Sequence, residues 1–99
     1  MSDESTLELA AARAVRAETL LDDELLNETF DVLEKSYIAA WRATTVEDAA
    51  GREKLFLAIN IVGKVRDHLA AVVANGKLAR AELKELAETA ERRRRFGII

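Results

Sequence analysis

A chain of 99 residues has room for one hydrophobic core and is read as a single helical domain, 1–99. Its composition, 49% hydrophobic and 33% charged with no proline and four glycines, suits helices and excludes collagen-like, disordered and all-β classes; without cysteine there is no disulfide framework, thiolate nucleophile or cysteine zinc site. The net charge of −3 conceals a polarity, because residues 1–50 carry four basic and twelve acidic side chains, a balance of −8, whereas residues 51–99 carry eleven and six, a balance of +5. Such a polarity favours contact between unlike halves, within a chain or between chains, over like-on-like stacking.

The opening MSDESTLELA is acidic and has no basic stretch leading into an apolar one, so no secretory signal is expected. No run approaches the ~20 apolar residues needed to cross a bilayer, and a cytoplasmic protein without membrane contact is expected. A first helix is predicted to open at Ser5, where Ser5 and Glu8 have the spacing of a capping box. Leu7, Ala11, Ala14 and Glu18 share one face, followed by Leu21; the stripe is thin and needs a groove to lie in.

Asp22 and Asp23 are good caps for a second helix over about 23–44. Leu26, Phe30, Leu33, Tyr37 and Trp41 recur on it at helical intervals, and the aromatic residues at that spacing are read as core rather than as a recognition surface. A second row, Leu25, Thr29, Val32, Ser36, Ala39 and Ala43, has smaller side chains that permit close helix approach. Thr45 with Glu47 and Asp48 marks the start of a third helix over about 46–74, ending at the favoured left-handed stop Asn75-Gly76.

That third helix carries a broad apolar face of Leu55, Ala58, Ile59, Val62, Val65, Leu69, Val72 and Val73, widened by Leu57 and Ile61. One antiparallel neighbour covers one stripe, so Leu57, Ile61, Val65, Leu69 and Val72 are the candidate self-association residues. Gly51 and Gly63 are unfavourable in a helix interior, and Gly63 is read as a close crossing. Residues 77–95 form a fourth helix with Leu78, Ala81, Leu83, Leu86, Ala87 and Ala90 as its apolar positions, before a short apolar tail, Phe96 to Ile99. The predicted fold is all-α, a long antiparallel hairpin (about 23–44 and 46–74) flanked by shorter terminal helices, and oligomeric.

The residues give no sign of catalysis. His68, the one histidine, has Lys64, Val65, Ala71 and Val72 as helical neighbours, none of them a second metal ligand or a carboxylate partner. The carboxylates lie on polar faces, without the Glu-x-x-His pairs of a di-metal bundle, and no phosphate loop or nucleophile elbow occurs. No catalytic residue, metal or cofactor is therefore expected. The run Arg92, Arg93, Arg94, Arg95 is the candidate binding element for nucleic acid or a partner protein, because Glu88 and Glu91 reach only some of its guanidiniums and phosphates or an acidic surface would satisfy the rest. Its other reading is a solvated end that offsets the helix dipole.

From Leu33 to Leu78, LEKSYIAAWRATTVEDAAGREKLFLAINIVGKVRDHLAAVVANGKL resembles small helical proteins of uncertain role encoded by tailed bacteriophages and prophages. The resemblance is carried by Ala40-Trp41-Arg42-Ala43-Thr44, Gly51-Arg52-Glu53, Leu55 and the HLAAVVANGKLA ending, and it covers about half of the chain. It implies a virus-linked accessory or assembly protein of the bacterial host's cytoplasm. Small terminase subunits, which recognise viral DNA for packaging, also use helical hairpins to form rings, but this chain lacks their basic N-terminal helix-turn-helix. The expected function is a non-enzymatic, self-associating interaction protein; the alternative is a nucleic-acid packaging component acting through the basic C-terminal half.

Overall fold

A computed structural model describes residues 3–97; the predicted tail residues Ile98 and Ile99 lie outside it. Among the described residues there is no strand, and there are three helices: α1 (Glu4–Leu21), α2 (Glu24–Arg42) and α3 (Ala49–Arg95). The all-α class is as predicted.

Local hydrogen bonding explains where each helix begins. The Asp3 carboxylate accepts the Ser5 N–H at 3.2 Å and its carbonyl accepts the Leu7 N–H at 3.0 Å, so Asp3 takes the capping role predicted for Ser5. Asp23 caps α2 as expected, with extended backbone and a carboxylate oxygen 2.8 Å from the Leu26 N–H. The Asn27 amide donates to the Leu21 carbonyl at 2.5 Å and the Asp23 carbonyl at 3.0 Å, fixing the turn between α1 and α2. The predicted start of the third helix at Thr45 moves to Ala49, because Val46 and Glu47 form a turn and Asp48 is the better acceptor, taking the Gly51 N–H at 3.0 Å.

The main departure is at Asn75-Gly76. Instead of ending there and restarting, α3 runs on as one 47-residue helix, so two predicted helices are one and the expected hairpin with separate flanking arms gives way to a long C-terminal helix. Gly76 stays helical because its use is contact: it is buried, and a methyl built on it would overlap the Ala14 methyl and stand 2.9 Å from the Ala10 carbonyl oxygen. Gly63, the predicted crossing point, has nothing within 4 Å of such a methyl. The positive-φ glycine is Gly97 (φ 66), just beyond the end of α3.

The helices form two compact units, Met1–Glu18 with Ala71–Ile99, and Thr19–Ala70. In the first, Leu7, Ala14 and Ala17 of α1 and Gly76 and Ala79 of α3 are buried. The buried row of this part of α3 is thus Gly76 and Ala79 with half-buried Leu83; Leu78, Ala81, Leu86, Ala87 and Ala90, predicted to face inward, are exposed. In the second unit, α2 packs on the first half of α3. Arg66 donates to the Asn27 carbonyl at 3.1 Å and the Asp31 carboxylate at 2.9 Å, lies 3.7 Å from Glu34, and places its guanidinium 4.9 Å from the Phe30 ring centroid. Leu26, Phe30 and Tyr37 of α2 and Leu55, Ala58, Ile59 and Val62 of α3 are half-buried, while Trp41 is exposed. Two helices alone enclose nothing, and no residue of Thr19–Ala70 is buried.

Candidate interaction surfaces

The sites this fold presents are helix faces, and the widest apolar one belongs to α3. At 100° per residue Ile61 stands about 140° from Arg66, on the side of α3 away from α2. Leu57, Ile61 and Val65 follow one another at intervals of four and are 49%, 59% and 45% exposed. A shallow groove on this side is lined by Ile61, Lys64, Val65, His68 and Leu69. Of the five predicted self-association residues, three are therefore open. Leu69 lines the same groove half-buried, and Val72 is half-buried in the other unit.

The second surface is one the sequence reading misassigned. The row Leu25, Thr29, Val32, Ser36, Ala39 and Ala43, expected to permit close helix approach, is exposed along its whole length, with Leu25 at 71% and Val32 at 56%. Phe30, about 160° from Val32, faces Arg66 and takes the inward position instead. Asp22, Glu24, Glu28, Asp31 and Lys35 line a groove with Val32, and with Asp31 paired to Arg66 this face carries three further carboxylates against one ammonium. The signal available in the sequence was the pair of large aliphatics, Leu25 and Val32, seven residues apart on an otherwise small-residue row.

The third surface is the end of α3. Arg92 to Arg95 are all exposed; Arg94 pairs with Glu91 and Arg92 donates to the Thr89 hydroxyl at 3.2 Å. Among the described residues no carboxylate pairs with Arg92, Arg93 or Arg95. Trp41, Arg52, Glu53 and Phe56 border a further hollow where α2 gives way to α3, and Arg52 donates from there to the Val46 carbonyl at 3.2 Å. Exposed His68 sits beside Lys64 and Val65, and among the described residues no three histidine, aspartate or glutamate side chains converge on a metal-sized position. No helix of the described residues is long and apolar enough to cross a membrane.

In comparisons with protein-family models, curated proteins and solved structures, nothing matches this chain.

Proposed function

We propose that the protein is a non-enzymatic helical assembly protein whose subunits join through the face of α3 that bears Leu57, Ile61, Val65 and Leu69. The observation that carries this reading is the state of Thr19–Ala70: two packed helices, no buried residue, and branched aliphatics open on the outer side. Contiguous apolar rows of that kind mark association surfaces rather than solvent-facing ones. A phage-encoded accessory role is the setting we propose, on the resemblance of Leu33 to Leu78. Light scattering at micromolar concentration should return a multiple of 11.0 kDa. Because Ile61 is 59% exposed within the subunit, Ile61→Lys should lower that mass while helix content is retained. A stable 11.0 kDa species for the unmodified protein overturns the reading.

The exposed arginines favour a second reading, in which Arg92 to Arg95 dock on nucleic-acid phosphates. Affinity for duplex DNA would then fall with a log–log salt slope of up to about −3.6, from about −0.9 per phosphate contact. Replacing the four arginines with serine should remove the binding. Absence of binding to duplex and single-stranded DNA at low salt excludes this reading.

A further inference from the structure

Building on the self-association proposed above, we propose that the contact is head-to-tail: the outer face of α2 in one copy seats on the outer face of α3 in the next.

The two faces are unlike in charge. The α3 row that holds Leu57, Ile61 and Val65 is edged by Lys54, Lys64 and His68 with Glu53, four residues before Leu57. The α2 row that holds Leu25 and Val32 is edged by Asp22, Glu24 and Glu28 with Lys35, while Asp31 is paired with Arg66 inside the subunit. A two-fold contact of α3 on α3 joins two faces with a cationic excess, and α2 on α2 joins two with a carboxylate excess. The mixed pairing aligns apolar centre on apolar centre with opposite charge excesses at the edges.

The second argument is coverage. Arg66 joins the inner faces of α2 and α3, and both outer faces stand roughly opposite it, at about 160° and 140° around their helices. One two-fold contact covers one of these faces and leaves the other in water. Head-to-tail contact covers both in every interior subunit, and it generates a closed ring or an open chain according to the rotation between neighbours.

The test uses the full chain in two variants, one blocked on each face. Val32→Glu adds a carboxylate to the acidic face and Ile61→Lys adds an ammonium to the basic face; both residues are more than half exposed in the subunit. Head-to-tail contact predicts that each variant alone is a monomer of about 11 kDa with unchanged helix content. Mixed, they should form a one-to-one complex of about twice that mass and nothing larger, since the only remaining compatible faces are the α3 face of the first and the α2 face of the second. If the Val32→Glu variant keeps the assembly mass of the unmodified protein, the contact is α3 on α3, and the head-to-tail inference falls while self-association stands. Failure of two monomeric variants to combine overturns it equally. Should either variant lose its helix content, Glu28→Lys and Lys64→Glu, two changes at exposed positions, take their places. Each alone should then weaken assembly, the two combined in one chain should restore it, and absence of that rescue counts against the proposal. An unmodified protein that is monomeric fails the function proposed above instead.

Discussion

Gly76 and Gly63 are both glycines in the interior of one helix, and the same substitution should act on them with opposite sign. Gly63→Ala meets open space, so it should stabilise by about 0.5–1 kcal/mol through helix propensity and a less flexible unfolded chain. Gly76→Ala drives a methyl into Ala14 and toward the Ala10 carbonyl, and should cost about 1–3 kcal/mol by overpacking. Adding Ala14→Gly should recover part of that loss, so urea unfolding of the two singles and the double gives a non-additive cycle. Arg66 tests a different kind of residue dependence. Its planar guanidinium serves a carbonyl, two carboxylates and the Phe30 ring together, so Arg66→Lys should lose about 1 kcal/mol in the same assay despite keeping the charge.

Among the elements, α2 has the best-defined start, and Asp23→Ala should cost about 0.5–2 kcal/mol, visible as a lower urea midpoint. That start was legible in the sequence because a cap is a local interaction over three residues. The thin face of α1 was legible too, through Leu7, Ala11 and Ala14, and so was the excess width of α3, since Leu57 and Ile61 lie to one side of the row that holds Leu55, Ile59 and Val62. The continuity of α3 was hidden. Asn-Gly serves equally as a left-handed stop and as a notch for a crossing helix, and the choice is made by Ala14, far away in the chain. The outward turn of Leu25 and Val32 was hidden for a related reason. Two rows of α2 have helical periodicity, and periodicity alone does not say which of them meets α3.

At the scale of the molecule, the buried apolar set among the described residues, Leu7, Ala14, Ala17 and Ala79, is small against the conformational entropy of ordering such a chain, so folding should be tied to association. The melting temperature should therefore rise with protein concentration across the micromolar range. A melting temperature independent of concentration would show that the subunit holds itself together.

Thr19–Ala70 stands in the chain as an insertion between the two segments of the other unit. What the first and last stretches of the sequence build, they build together: Ala14, near one end, fills the notch at Gly76, on the stretch that leads to the other. Shortening the protein is consequently not a graded operation. Deleting α1 strips Gly76 of its cover and leaves every bond that Arg66 makes in place, and cutting before Gly76 takes the notch away from Ala14. Limited proteolysis should accordingly release the two ends in step.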